Sequence, residues 1–366
     1  MKKIFNLVFS LLFLSPVILA QQTTGVPFNT TNWDVGNSDM EFETYMGQES
    51  VLLKSGSLSV KDVAFIDGTI EVDINFPDAR FFPGVFFRKT GPGNLESFYI
   101  RPHQSGNPDA SQYTPIFNGL AGWQLYHGEG HGDILNLEPN TWHRIKINVS
   151  GDQADIYFND MDTPHLIVTD LKRDKKTGEI GVNTGAPVHY ANFSYSTEKP
   201  RLVERNDATD ENETSAGLIT SWQLSNLVKD TDYQSKVNIN TSNLAWTTRT
   251  TEDSGTLNIA KYLLRDEGMN TALVKVKIQS DKKTTKELQF GYSDFTWVYV
   301  NGQLMYGGRN DFRSRDYRYL GTIGFFDAVY LPLEKGDNEV VFVVSENFGG
   351  WGLKAKLSDM SGIKIK

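Results

Sequence analysis

Three short stretches hold residues whose types and spacing could do chemistry. In TIEVDINF (69–76) the acids Glu71 and Asp73 alternate with Ile70, Val72, Ile74 and Phe76. Period-two alternation puts both carboxylates on one face of a strand. There they could act on a sugar or hold an arginine of the neighbouring strand. In GVFFRKT, Val85 and Phe87 share a face, which leaves Arg88 on the other. In FYIRPH, Phe98 and Ile100 share a face, which leaves Tyr99 and Arg101 opposite. The parity predicts one polar sheet face with Glu71, Asp73, Arg88, Tyr99 and Arg101. On such a face an arginine fork matches either a carboxylate or sugar hydroxyls.

The second stretch continues past Arg101 through His103, Gln112, Tyr113, Trp123, Gln124, Tyr126 and His127. Aromatic rings stack on the apolar faces of sugars, while amides and guanidinium groups bind hydroxyls. The same residues also suit a packed crossing, with Trp123 and Leu125 in the core and Pro115 and Phe117 plugging a sandwich edge. Gln124 and Tyr126 have the opposite parity to Trp123 and Leu125. The expectation is a ligand cleft centred on Arg101, Gln124 and Tyr126.

The third stretch is HGEGHGD, in which His127, Glu129, His131 and Asp133 share parity. Its glycines exclude the helix on which a His-Glu-x-x-His zinc site depends. A loop site for calcium or zinc and a plain exposed loop both fit it, and no other cofactor is expected. No P-loop, dinucleotide fingerprint or serine-nucleophile elbow is present.

The elements that must position these groups read as strands. Short alternating runs separated by Gly, Pro, Asn and Asp turns dominate, as in β-sandwiches. WHRIKINVSGDQADIYFN (142–159) predicts a hairpin with Ile145, Ile147 and Val149 facing inward, returning through Ala154, Ile156 and Phe158. FTWVYVNGQLMY predicts another around Asn301-Gly302, the dipeptide best suited to a type I′ turn. The polar tract 198–216 lacks alternation and reads as a linker. All six histidines, at 103, 127, 131, 143, 165 and 189, precede it. The expected organisation is all-β: two β-sandwich (jelly-roll) domains in tandem, 21–197 and 217–366, joined by 198–216.

Bulk composition narrows the partners. The net charge is −9 over 366 residues and no Lys/Arg cluster appears, which argues against nucleic acid. There is no cysteine, so disulfides, thiol nucleophiles, Cys-ligated zinc and a lipid on an N-terminal cysteine are excluded. Residues 1–20 have a basic start at Lys2-Lys3, an apolar run and a small residue at Ala20, the pattern of a bacterial secretory signal. Secretion or a periplasmic location is expected, with no membrane span. The sequence leaves the oligomeric state open.

FIDGTIEVDINF, GVFFR, FYIRPH, WQLYHG, WHRIKINVSGDQADIYFND, GEIGV and ANFSY make residues ~28–197 resemble the concanavalin A-like lectin/glucanase superfamily, in particular its laminin-G-like jelly rolls. The G-x-x-F-R strand is also similar to one in the 3-keto-disaccharide hydrolase domain. FGYSDFTWVYVNGQLMY, LPLEKGDNEVVFVV and GGWGLKAKL make residues ~217–361 resemble the galactose-binding-like jelly roll. The first resemblance implies catalytic positions. Family-16 glucanases carry Glu-x-Asp-x-(x)-Glu, whose glutamates are nucleophile and general acid. Glu71 and Asp73 match the first two positions, and Asn75 and Phe76 occupy the places of the second glutamate. A retaining mechanism needs two carboxyls about 5 Å apart. The reading is therefore a secreted carbohydrate-recognition protein without its own catalysis. The alternative is a glycan-processing hydrolase or lyase using the same face.

Overall fold

The hairpin 142–159 forms with the expected register. Strand His143–Ser150 lies antiparallel to Gln153–Phe158, with Ile145 opposite Phe158, Ile147 opposite Ile156 and Val149 opposite Ala154. All six of these side chains are buried. The computed structural model describes residues 23–205, 217–316 and 319–366. The expected signal segment, part of the expected linker (206–216) and residues 317–318 lie outside the described residues. Among the described residues no helix is long and apolar enough to cross a membrane.

The chain is built almost wholly of strands. The first group, between Thr24 and Ser196, is one continuous hydrogen-bonded path folded into two layers. Strand Gln48–Val60 joins the layers. Its first half pairs with Val188–Ser196 and its second half with Glu179–Thr184. Gly56 stands at the change of partner with φ +107°, a conformation open to glycine, and a Cβ there would lie 2.4 Å from Ser38 Oγ. One layer runs through Gly68–Asn75 to the 142–159 hairpin. The other runs through Gly84–Gly91, Asn94–Ile100 and Ser111–Phe117. Their facing sides form one core that includes Ile70, Val72, Ile74, Val85, Phe87, Phe98, Ile100 and Tyr113.

The second group has a seven-stranded and a four-stranded sheet. Val274, Val276, Phe342 and Val344 of the first pack with Leu288, Phe290, Leu331 and Leu353 of the second. The Asn301-Gly302 turn has φ of +50° and +83°, as a type I′ turn requires. Trp351, which follows Gly349-Gly350, is fully buried and donates from Nε1 to the Val344 carbonyl at 3.1 Å.

Among the described residues no strand of one group pairs with a strand of the other. They meet through the segment 117–127. Phe117 and Leu120 pack against the second core. Gln124 donates from its backbone to Gly349 O (2.9 Å) and from Nε2 to Leu320 O (2.9 Å), while its own carbonyl accepts from Ile323 N at 3.0 Å. Gly349 has φ +105°, and a Cβ there would lie 2.5 Å from Gln124 Cδ. The contact therefore requires glycine at 349.

Candidate functional site

Glu71 and Asp73 do share a face, and an arginine holds both. That arginine is Arg144, from the adjacent strand His143–Ser150. Its Nη1 lies 3.0 Å from Asp73 Oδ1, and its Nη2 is bonded to Glu71 Oε2. Asp73 Oδ2 also accepts from Asn192 Nδ2 at 2.7 Å. The pair is an ion-paired cluster on the first layer.

The expectation that Arg88 joins them is corrected. Arg88 has φ +50° at a register shift, so the strand's alternation breaks there. Its buried side chain donates to the carbonyls of Ile66 (2.7 Å) and Gly151 (2.6 Å) and pairs with Asp67 at 3.1 Å. It lies apart from both Glu71 and Arg101.

Tyr99 and Arg101 lie on the outer face of the second layer, where a cavity of about 670 Å³ opens between the two strand groups. Arg101 is 6% exposed. It donates from Nη2 to Tyr99 Oη (2.9 Å) and Gln112 Oε1 (2.7 Å), and from Nη1 to Asp109 O (2.5 Å). Gln112 is thus a positioning residue, held in turn by its bond to Tyr126 O at 2.6 Å. Arg101 also lies over the Tyr99 ring, 4.9 Å from its centroid. Burial raises the Tyr99 hydroxyl above the ordinary phenol range, so it stays protonated.

His103 and Trp123 line the same cavity. Burial lowers the His103 imidazole below its ordinary range, and the positive charges of Arg80 and Arg101 lower it further. Its Nδ1 is buried without a partner. Sequence reasoning did not place Arg80, Phe82, Asn183, Phe312, Arg313 and Phe348 at this site, and they also line the cavity. Phe82 is 42% and Phe348 54% exposed, unusual for such large apolar rings. Trp123 sits edge-on to Phe312 at 6.2 Å and to Phe348 at 5.8 Å, so the aromatic wall is built from both strand groups. The available signal was a pair of aromatics beside chain-turning residues, FFPG and NFGGW.

Four expected site residues are elsewhere. Tyr113 points into the first core and donates to Glu96 Oε2 at 2.8 Å. Gln124 is fully buried in the contact between the groups. Tyr126 is buried too, donating to Glu252 Oε1 (2.5 Å) and accepting from Asn258 Nδ2 (3.1 Å). His127 Nε2 donates to Ile323 O at 3.0 Å. The expected parity does not hold for Gln124 and Tyr126: residues 123–126 form a turn covered by the second group, and Tyr126 packs with Leu125 and Ile323. A cleft centred on Gln124 and Tyr126 is therefore corrected to one centred on Tyr99, Arg101 and Trp123.

Nor does the structure gather His127, Glu129, His131 and Asp133. His131 stacks between Tyr113 and Tyr126, with centroids 6.1 and 5.7 Å away. Burial, with the nearby Lys172, brings its imidazole down to about 4. Asp133 Oδ1 accepts from the Ile134 amide at 2.7 Å. Among the described residues no three His, Asp or Glu side chains converge on a metal position. EDTA is expected to leave the melting curve unchanged, since a ligand of the native state alone would shift it. A lower melting temperature, with calcium or zinc found by elemental analysis, would contradict this.

No family model matches the sequence, and no curated protein matches it. Solved structures do show likeness. A carbohydrate-binding module from Bacillus subtilis has 16% identity and a TM-score of 0.34, covering 45% of this chain and 95% of its own. A glycosyl hydrolase family protein from Mycobacterium fortuitum has 12% identity and a TM-score of 0.33, covering 47% and 94%. The β-glucanase of Bacillus licheniformis has 14% identity and a TM-score of 0.33, covering 48% and 98%. Each likeness spans less than half of this chain.

Proposed function

We propose that this protein binds a glycan in the cleft between its two strand groups and does not cleave it. One observation carries the reading: the rings of Phe82, Trp123, Phe312 and Phe348 border a cavity whose floor holds Tyr99, Arg101 and Asn183. Apolar platforms beside converging hydrogen-bonding groups are what a pyranose ring requires. Asp109 is the one carboxylate among the described residues lining the cavity, and Glu71 and Asp73 lie on the other layer bound to Arg144. A paired-carboxylate hydrolysis has no second group there. In this reading the galactose-binding-like second module is a wall of the site rather than a separate sugar-binding unit.

His103 favours a second reading, a glycan-processing lyase. A neutral imidazole with an unpartnered buried nitrogen, near a protonated Tyr99, could take a proton from a bound sugar. A glycan array, run beside assays for new reducing ends and for unsaturated products on the same polysaccharides, tests both readings. Retention without product supports binding alone. Unsaturated product that disappears in His103→Ala establishes the lyase instead.

A further inference from the structure

The cavity carries positive charge in a protein that is acidic as a whole. Asp and Glu number 45 against 36 Lys and Arg. Yet Arg80, Arg101 and Arg313 line the cavity against the single carboxylate of Asp109. Of the two buried arginines among the described residues, Arg88 has Asp67 at 3.1 Å. Among the described residues Arg101 has no carboxylate within 4.0 Å; its three acceptors, a phenol, an amide and a carbonyl, are neutral. Of the five N–H donors of a guanidinium, two are left without an acceptor among the described residues. Burying a cation away from counter-charge is unfavourable, and neutral dipoles offset that only in part. Arg313 approaches from the second strand group, is exposed, and lies over the Phe312 ring at 4.9 Å, with no carboxylate paired to it among the described residues. The lowering of His103 by Arg80 and Arg101 reports the same positive field.

We infer that the ligand is an anionic glycan, with a carboxylate or sulfate group seated at Arg101 and faced from the second strand group by Arg313. The inference rests on the glycan-binding reading above and narrows it. A planar fork suits a carboxylate or the oxygens of a sulfate ester better than a neutral hydroxyl. Entry from both strand groups makes the site incomplete without either.

The test is isothermal titration of the full chain with four probes: polygalacturonate, its methyl ester, dextran sulfate and dextran. At least one charged polymer is expected to bind, about tenfold or more tighter than its neutral counterpart, and more weakly as salt rises. Polygalacturonate marks a carboxylate ligand and dextran sulfate a sulfate ester. Arg313→Met should weaken the charged probe about tenfold with the melting temperature unchanged, since its side chain is exposed. Arg101→Lys keeps the charge and loses the fork, and should weaken it further. Should that variant fail to fold, Arg313→Met still decides. Equal affinity for charged and neutral polymers overturns the inference, as does charged binding that Arg313→Met leaves intact. If neutral glycans bind on the array and neither charged probe does, the inference falls while the glycan reading stands. If no glycan of any kind binds, both fall.

Discussion

Between pH of about 6.5 and about 8.5 the melting temperature will fall by several degrees, and Asp294→Asn will make that slope shallower. The cause is a buried pair of carboxyls beneath the loop that carries Phe348. Asp294 and Glu346 are almost wholly buried, and each keeps one carboxyl oxygen without a partner. Burial raises Asp294 to about 7, and Asp311 adds to the rise; the amides of Asn347 and Phe348 and the charge of Arg265 oppose it. Burial raises Glu346 to about 8, Asp294 adds to the rise, and Arg265 and the Gly350 amide oppose it. Both groups hold protons in the folded state that they release in the unfolded one near pH 4. Their stabilisation is therefore full below the unfolded values and is lost as pH rises through the folded ones. The lowered histidines 103, 131 and 165 titrate in the opposite sense, below about pH 6.5. Above that pH Glu96, whose carboxyl burial also raises, acts in the same sense as the pair. A loss on the order of 2 kcal/mol is expected. Asparagine keeps an acceptor for Asn347 and Phe348 and relieves Glu346 of its like-charged neighbour. Differential scanning calorimetry across the pH series is the check. An identical slope in wild type and variant would exclude the pair as its source.

Glu252→Ala should have the largest effect of any single substitution in the contact between the groups. Its carboxylate accepts from Tyr126 Oη at 2.5 Å, is bonded to Lys261 Nζ, and lies 3.5 Å from Lys172 Nζ. Burial works to raise this carboxyl, but the charges of Lys261 and Lys172 and the bonds from Lys261 and Tyr126 outweigh it and hold it low. Its contribution is present above the unfolded carboxylate value and is lost as pH falls through the folded one. Removal takes the bonded carboxylate from Lys261 and the acceptor from the Tyr126 hydroxyl, while Lys172 keeps Asp170 at 2.6 Å. Breaking a buried pair in this way costs about 3–5 kcal/mol. Glu252→Gln should cost less, since the amide still accepts from Tyr126. Urea unfolding of both variants tests this, and a loss below about 1 kcal/mol in Glu252→Ala would show that the contact is held elsewhere.

Sequence periodicity reached the strands and which way their side chains face, and it stopped at what covers each face. The 142–159 hairpin and the Asn301-Gly302 turn were legible because pleat and turn chemistry are local. Arg88 was misplaced because a bulge with positive φ resets parity, and nothing in GVFFRKT marks it. Gln124 and Tyr126 were misplaced because residues 123–126 form a turn, where strand parity does not apply. Their partners, Leu320 and Glu252, lie 196 and 126 residues away, beyond any local pattern. The partner of Glu71 was right in kind and wrong in identity, because the order of strands in a sheet does not follow from their alternation. Tyr99 and Arg101 were placed by parity, and His103 and Trp123 by composition; all four line one cavity, but on a different layer from Glu71 and Asp73, and half of the aromatic wall comes from loops with no periodicity.

The central claim is that ligand enters the cleft between the strand groups rather than the face bearing Glu71 and Asp73. Calorimetric titration of wild type, Phe348→Ala and Glu71→Gln, with a glycan retained on the array, separates the two faces. Loss of an aromatic anchor at the centre of an interface costs about 2 kcal/mol or more, about thirtyfold in affinity. Phe348 is exposed at the cavity mouth, so its truncation should leave the fold intact. The account predicts about thirtyfold weaker binding in Phe348→Ala and an affinity within about twofold of wild type in Glu71→Gln. Unchanged binding in Phe348→Ala, with loss in Glu71→Gln, would place the ligand on the other layer and contradict it.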